Sequence, residues 1–500
     1  MADETKEDEV APATLWLSTD ESFAFLAIKK VKEEDFGTAF ATGTEDYIRD
    51  VVERWRAGEA PKSETDQVPE PELPLETTQE ATLHEALQKG IEFARSQAHL
   101  IAITSVAPSL FEAVHVATNI LDPITDSGTP VHEDEIATVY PLSSEQHTKV
   151  VSARRKLVDL QLGVAALPNA TLMSLVATFD ALIVDLIAKM LRLDKSWMSK
   201  GDRKLGFDKL AEAETLDALI ADAIGEELYQ FSRGSHDEQA KYIETNFGVS
   251  IRSHWKRWPD YIEVFERRNL IAHGESNYNK RYVSICSSSG HKGSDKLLGS
   301  AVEVRHQYLR QALDVLTEFA ILLPFSVWRK LSEQEEEKAF SQLNEAAYNL
   351  IMNGHHVAAE RVLEFALGLT KVKVPANVIY MLTINRASAL RHAGHEDQAK
   401  AVLKGVDWSA SSDLFQICMH AVNGDAEEVA KLLPKFEKST DLNAVTFKQW
   451  PCFKFVRDDD AVREAFLKTF GESLQVPASQ TSGAEKENSS PNPGDLPTVH

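Results

Sequence analysis

The segment from Leu172 to Leu193 reads LMSLVATFDALIVDLIAKMLRL, and it decides the fold class of this 500-residue chain. Apolar residues occupy nearly every position around the helix that it would form, and Asp180 and Asp185 are its only acidic residues. A helix that is apolar on all sides is typical of the centre of a bundle. The sequence therefore predicts a mainly α protein built around this segment.

Helical periodicity continues on both sides of the central segment. Ser144 and Glu145 lie in a stretch that resembles a helix N-terminus, which places the start of the bundle near residue 145. Further helices are predicted for residues 204–231, 237–246, 258–273 and 299–330, with a short strand at 282–285. Together these elements predict a helical bundle over residues 145–330.

A spacing of small and large apolar residues repeats after the bundle. Its first copy is Ala347, Leu350, Gly354, Ala359 and Leu363, its second is Ala387, Leu390, Gly394, Ala399 and Leu403, and a weaker copy surrounds Ile417, Gly424, Val429 and Leu433. Small residues let two helices pack closely, and a glycine permits the turn between them. We expect a short array of tetratricopeptide-like hairpins and a terminal helix over residues 336–472. It would bind a protein regulator or, alternatively, only brace the bundle.

The remaining parts of the chain have weaker patterns. Residues 13–140 form an α/β or irregular N-terminal region without an assigned role, and residues 61–80 within it are rich in Pro, Glu and Thr, as linkers are. Residues 1–12 are charged and residues 474–500 are rich in Ser, Pro, Asn and Gly. Both ends are therefore predicted to be disordered.

The overall charge and the cysteines restrict the class of protein. A formal net charge of −24 argues against a surface that grips nucleic acid everywhere, so any RNA contact must be local. Cys286, Cys418 and Cys452 show no C-x-x-C spacing, which disfavours a zinc site and suits a reducing cytosol. The N-terminus does not resemble a signal peptide, and the apolar run at 319–328 is too short to span a bilayer. We expect a cytoplasmic protein that does not contact a membrane.

The strongest candidate site is the stretch RNLIAHG from Arg268 to Gly274, at the end of a predicted helix. Asn269 and His273 share a face of that helix, so the amide could hydrogen-bond the imidazole and fix its tautomer. Arg268 lies about 140° around the helix from His273. The two side chains converge on one phosphate only if the helix ends at His273 or if a second subunit completes the site. The second case predicts a homodimer.

These residue types suit the cleavage of a phosphate ester. A fixed cation beside a group that exchanges protons near neutral pH matches attack by a ribose 2′-hydroxyl on the adjacent phosphate of RNA. His273 would act as general base or acid, and Arg268 would stabilise the charge on the phosphoryl oxygens. The reaction requires neither a metal nor another cofactor, and no carboxylate–histidine cluster has metal-ligand spacing.

The surrounding sequence is locally basic and aromatic. Cations outnumber acids between residues 251 and 282, and five aromatic residues are interleaved among them, namely Trp255, Trp258, Tyr261, Tyr278 and Tyr282. Aromatic rings can stack on unpaired bases. We therefore include Arg267, Tyr278, Lys280 and Arg281 as supporting residues. Asp180 is included as a partner that could orient Arg268, although a solvent-facing aspartate would fit the same pattern.

The spacing of the arginine and histidine is weak by itself. Basic side chains near a helix C-terminus are favoured by the helix dipole alone. A second arginine–histidine pair, Arg386 and His392, occurs inside the repeats with no asparagine between them and no predicted helix end. The context of Arg268 therefore matters more than its distance from His273.

The motif and its helical context resemble the HEPN superfamily, whose hallmark is Arg-x4–6-His, often with a polar residue directly after the arginine. Arg268, Asn269 and His273 match that pattern, and the stretch NYNKRYV at 277–283 and the long closing helix are similar too. The resemblance covers roughly residues 145–330. It implies a dimeric bundle of four or five helices that joins two motifs in one cleft. It also implies a metal-independent endoribonuclease of toxin, abortive-infection or phage-defence systems.

Two other functions fit the sequence. One is a non-catalytic dimeric adaptor that binds proteins through the helical repeats, in which Arg268 and His273 only cap a helix. The other is an RNA binder without catalytic activity, whose affinity would fall steeply with salt.

Overall fold

The computed structural model describes residues 25–28, 40–43, 79–116, 132–133, 138–139, 144–200, 215–331, 336–369 and 374–474. The chain divides into two units, Met1–Thr78 and Gln79–His500. In the first unit, β1 (Phe25–Ile28) pairs antiparallel with β2 (Phe40–Gly43). The predicted disorder at 1–12, most of the predicted linker at 61–80, and residues 475–500 lie outside the described residues.

The second unit begins with a bundle of helices, so the predicted mainly α class is confirmed. Its elements are α1 (Gln79–Val116), β3 (His132–Glu133), β4 (Thr138–Val139), α2 (Ser144–Leu193), α3 (Leu216–Arg233), α4 (His236–Phe247), α5 (Trp258–Ala272), α6 (Lys280–Ser288) and α7 (His306–Leu331). Short 3₁₀ helices at Lys195–Ser199 and Ser294–Leu297 lie between them. β3 and β4 form an antiparallel pair.

The core of the bundle is built around α2. The ring of Phe179 is fully buried, and its centre lies 5.8–6.0 Å from those of Phe93, Tyr261, Phe265 and Phe319. These four rings come from α1, α5 and α7. The apolar segment that predicted a central helix therefore brings three other helices together, at distances typical of stabilising ring pairs.

The bundle includes one helix that the sequence placed elsewhere. α1 belongs to the predicted N-terminal region at 13–140, yet Leu87 and Ile91 are buried in the bundle core. Helix α1 approaches α7 closely at Gly90, because a Cβ on that residue would lie 2.8 Å from the Cδ1 atom of Ile321. The bundle thus begins at residue 79 rather than at residue 145.

The predicted strand at 282–285 is wrong, because these residues lie within α6. The side-chain oxygen of Asn279 accepts a hydrogen bond from the Tyr282 backbone N–H at 2.9 Å and so caps a new helix. Tyr282 and Cys286, four residues apart, are both buried on one helical face. The closing helix starts at His306 rather than at residue 299.

Among the residues that the structure describes, two helical stretches have the length and composition that could cross a bilayer, Val158–Leu193 and His306–Leu331. The apolar run at 319–328, which was predicted to be too short to span a bilayer, lies inside the longer 26-residue helix α7. The most apolar windows of the two stretches are 44% and 83% buried inside the protein. The high buried fraction of the window in α7 is typical of a helix in a protein core.

The repeats form three helical hairpins at the predicted positions. Their helices are α8 (Glu336–Met352), α9 (His356–Leu367), α10 (Ala376–His392), α11 (Glu396–Lys404), α12 (Asp413–Asn423) and α13 (Ala426–Leu432). Gly354, Gly394 and Gly424 turn the three hairpins with φ of 83°, 85° and 88°, a region that favours glycine. The chain then continues through a 3₁₀ helix (Leu433–Phe436), α14 (Ala444–Gln449), a 3₁₀ helix (Pro451–Phe455) and α15 (Asp460–Phe470).

Candidate active site

The candidate motif lies at the C-terminal end of α5, as predicted. The helix ends because Gly274 adopts a φ of 70°, which a helix cannot continue. The backbone N–H of His273 donates to the Asn269 carbonyl at 3.0 Å, and that of Glu275 donates to the Leu270 carbonyl at 2.9 Å. His273 is therefore the cap residue, and its side chain is exposed.

Arg268 contacts the acidic residue that the sequence proposed as its partner. Its Nη2 atom lies 3.5 Å from the Oδ2 atom of Asp180 on α2, with 23% and 37% of the two side chains exposed. The Nε atom of Arg268 is buried and has no hydrogen-bond partner among the described residues. This single long contact directs the Arg268 guanidinium toward α2. The guanidinium keeps N–H groups that could donate hydrogen bonds to a ligand.

His236 is a neighbour of this pair that the sequence did not indicate. It is the first residue of α4, its Nε2 atom lies 3.1 Å from the Oδ1 atom of Asp180, and its ring stacks on Phe265. Burial lowers the pKa of His236, and the nearby Asp180 carboxylate opposes that shift. A neutral ring can donate from Nε2 to Asp180. The carboxylate of Asp180 is therefore shared between His236 and Arg268.

The structure does not bring Asn269 and His273 together through their side chains. The Nδ2 atom of Asn269 donates to the Oε1 atom of Glu266 at 3.1 Å. Glu266 lies three residues earlier on the same face, and its carboxylate is a stronger acceptor than a neutral imidazole. The expectation that Asn269 fixes the His273 tautomer is wrong for the single chain. The His273 side chain forms no hydrogen bond with another described residue.

Arg267, predicted as a supporting residue, is part of a buried polar network instead. Its Nε atom donates to Glu263 at 2.7 Å, and its guanidinium lies 3.8 Å from the centre of the Tyr308 ring. The hydroxyls of Tyr282 and Tyr308 also donate to Glu263, at 2.6 and 2.7 Å. These contacts satisfy a carboxylate that is 4% exposed. Arg267 therefore joins α5 to α6 and α7 and is not available to a substrate.

The aromatic side chains do not form a stacking surface for bases, so that prediction is wrong. Tyr278 is 4% exposed, and its backbone N–H donates to the Ser300 carbonyl at 3.0 Å. The other four aromatic residues of this segment, Trp255, Trp258, Tyr261 and Tyr282, are buried as well. Large rings gain more by joining the core than by remaining at the surface. Lys280 and Arg281 remain exposed at the start of α6.

The second arginine–histidine pair also lies at a helix end, contrary to the expectation. α10 ends at His392, because Ala393 caps the helix and Gly394 turns the chain. The Nε2 atom of His392 lies 3.1 Å from the Pro451 carbonyl oxygen, and Arg386 forms an ion pair with Glu360 at 3.0 Å. A helix end therefore does not separate the two pairs.

No family model, curated protein or solved structure matches this chain. Within the described ranges, no group of three or more His, Cys, Asp or Glu side chains is arranged to hold a metal ion. The basis for a functional hypothesis is therefore the geometry at the end of α5 together with the motif itself.

Proposed function

We propose that this protein is a metal-independent endoribonuclease of HEPN type, with Arg268 and His273 as its catalytic residues and Asn269 included because it matches the polar position of the HEPN motif. The observation that carries the proposal is the arrangement at the end of α5. There the Arg268 guanidinium is 3.5 Å from Asp180, and the imidazole of His273 is exposed five residues later. A directed cation and an exposed imidazole that can accept or donate a proton are groups that suit metal-independent RNA cleavage.

The chemistry follows from these two side chains. His273 accepts the proton of a ribose 2′-hydroxyl, whose oxygen then attacks the adjacent phosphorus. The bond from phosphorus to the 5′-oxygen breaks, which leaves a 2′,3′-cyclic phosphate and a 5′-hydroxyl. Arg268 stabilises the negative charge on the phosphoryl oxygens during the attack. The leaving 5′-oxygen receives a proton from a second group, which acts as a general acid.

A second copy of the chain would supply that acid. Arg268 is directed toward α2, His236 already contacts Asp180, and His273 lies beyond the last turn of α5. One chain thus offers one exposed histidine at this helix end for two proton transfers. In a homodimer, two motifs facing each other would provide a base and an acid in one cleft. Exposed Lys280 and Arg281 would contact the RNA backbone in a chain that is otherwise acidic. The HEPN resemblance adds a cytoplasmic toxin or phage-defence role to this proposal.

The test is incubation of wild type and His273→Ala with total cytoplasmic RNA in EDTA, followed by mapping of the ends. His395→Ala is the matched control, because His395 is also an exposed histidine at a helix boundary. Wild type and His395→Ala are expected to produce 2′,3′-cyclic phosphate ends. His273→Ala should cleave at least about 100-fold more slowly, the usual contribution of a general base. Cleavage by His273→Ala at the wild-type rate would contradict the proposal.

The adaptor function is the second candidate, and the three hairpins favour it. Their repeat positions are buried, including Ala347, Leu363, Ala387 and Leu403, so the array is a packed helical stack that could bind a protein. This function predicts no RNA turnover at any protein concentration, and loss of stability or partner binding in Arg268→Ala. RNA binding that weakens steeply with salt, without any cleavage, would instead indicate an inactive RNA binder.

A further inference from the structure

A cleft of about 970 Å³ lies where the segment before α5 and helix α7 meet helices α8 and α9. Its size is in the range of sites that hold small molecules. Arg257, which lines it, immediately precedes α5, whereas the Arg268–His273 motif lies at the other end of that helix. A 15-residue helix is roughly 22 Å long, so the cleft is separate from the candidate active site.

Glu318 gives the cleft a buried acceptor with unused capacity. This side chain of α7 lines the cleft and is 3% exposed. Its Oε1 atom accepts a hydrogen bond from the indole N–H of Trp255 at 2.6 Å, but its Oε2 atom has no partner among the described residues. A buried carboxyl oxygen without a hydrogen bond costs free energy. A ligand that donates a hydrogen bond to Oε2 would remove that cost.

Two arginines give the cleft unused positive charge. Arg361 of α9 forms no hydrogen bond or ion pair with another described residue, and Arg257 has a buried Nε atom that lacks a partner. The pKa of Arg257 is lowered first by burial and then by the charge of Arg361, so the two guanidiniums lie within electrostatic range. Asp260 pairs with Arg257 at 2.8 Å, and the carboxyls of Asp314 and Glu318 lie within electrostatic range of both arginines without forming an ion pair with Arg361. An anion that both arginines contact would relieve their repulsion.

The other charged groups of the cleft are mostly neutralised. Arg329 pairs with Glu336 at 2.6 Å, and Lys256 pairs with Glu364 at 3.1 Å. Among the described lining residues, Arg361 and Lys330 are cations that form no ion pair, and Glu318 and Glu337 are acids that form none. Apolar side chains cover another part of the wall, namely Phe319, Leu322, Leu323 and Phe365. The cleft thus combines an anion site, an apolar wall and a buried acceptor.

We propose that this cleft binds a nucleoside phosphate. The phosphate is held by Arg257 and Arg361, and the base lies against the apolar wall and donates an N–H to the Oε2 atom of Glu318. Inorganic phosphate lacks a base that could pack on the apolar wall and donate an N–H to Glu318. A nucleoside lacks the phosphate that the two arginines would bind. Only a ligand with both a phosphate and a base can contact the two arginines, the apolar wall and Glu318 together.

The test is isothermal titration calorimetry of the full-length chain with AMP, GMP, CMP and UMP, each measured separately. Adenosine and inorganic phosphate are the ligand controls. At least one mononucleotide is expected to bind with a Kd below about 1 mM, and both controls at least tenfold more weakly. Arg361→Ala should weaken mononucleotide binding at least tenfold, because a charge-assisted contact is lost. Arg463→Ala, which removes an exposed, ion-paired arginine of α15, should leave binding unchanged.

Three results would overturn the proposal: no binding of any mononucleotide, equal binding by Arg361→Ala, or phosphate binding as tightly as the nucleotides. Circular dichroism and thermal melting establish that Arg361→Ala is folded. If that variant does not fold, Arg361→Lys replaces it, and the loss of the planar fork should still weaken binding several-fold. Binding is measured without RNA, so its outcome is independent of the proposed ribonuclease activity.

Discussion

Two segments of this chain carry an arginine followed by a histidine at a helix end, and they differ in what covers the histidine. His273 caps α5 and is exposed. His392 ends α10, and its ring centre lies 4.8 Å from that of His356 and 4.6 Å from that of Phe455. The same local pattern thus leaves the His273 side chain exposed and packs the His392 ring against His356 and Phe455.

The two arginines are almost equally exposed and differ in their acidic partners. Arg386 is bound to Glu360 at 3.0 Å, and only 21% and 16% of these side chains are exposed. Arg268 has a 3.5 Å contact to Asp180, a more exposed carboxylate that it shares with His236. The exposure of the histidine and of the acidic partner of the arginine, rather than residue spacing or a helix end, therefore separates the candidate active site from the structural pair.

The largest effect is expected when each histidine is replaced by alanine and unfolding is followed in urea. His392→Ala removes two ring contacts and the hydrogen bond to Pro451, so it should lower the free energy of unfolding by about 2 kcal/mol. His273→Ala removes an exposed side chain and should change it by less than about 0.5 kcal/mol. Equal losses in the two variants would show that His273 is structural too.

Acidic pH sharpens this contrast. Burial lowers the pKa of His392 to about 4; the Pro451 carbonyl opposes the shift, while His356, Lys454 and Arg457 add to it. Because the unfolded histidine binds a proton at higher pH than the folded one, stability is lost as the pH falls from about 6.5 to about 4. His392→Ala should therefore lose less stability than wild type between pH 7 and pH 4.5. An identical loss in both would contradict the buried position of His392.

The fold was largely predictable because its signals are local. The apolar character of residues 172–193 on nearly all sides predicted the second part of α2, and the repeated glycines at 354 and 394 predicted the hairpin turns. The set of residues that meet at the candidate site was less predictable, because it depends on contacts between residues that lie far apart in the sequence. His236 reaches Asp180 across 56 positions, and Tyr308 reaches Glu263 across 45. No periodicity within one helix indicates how α4 or α7 docks on its neighbours.

Asp180→Asn tests whether the contact to Arg268 matters for catalysis. The amide keeps the shape of the side chain but removes the charge that directs the guanidinium, so cleavage should slow roughly tenfold through kcat, with little change in KM. The matched control is Asp185→Asn on the same helix, because Asp185 pairs with Lys89 at 2.7 Å instead. If both variants slowed cleavage equally, Asp180 would only stabilise the bundle. Restoration of the rate by Asp180→Glu would support a positioning role.

The smallest effect is expected at the glycines that end the two helices. A Cβ on Gly274 or Gly394 would meet no atom within 4 Å, so alanine adds only the strain of a φ of 70° or 85°, about 1 kcal/mol at each site. Thermal melting should therefore show similar losses for Gly274→Ala and Gly394→Ala. Cleavage should fall a few-fold in Gly274→Ala alone, because only that glycine holds the exposed histidine at its helix end. An equal fall in the cleavage rate of both variants would show that the loss comes from general destabilisation. An unchanged cleavage rate in both variants would show that His273 acts without a fixed helix end.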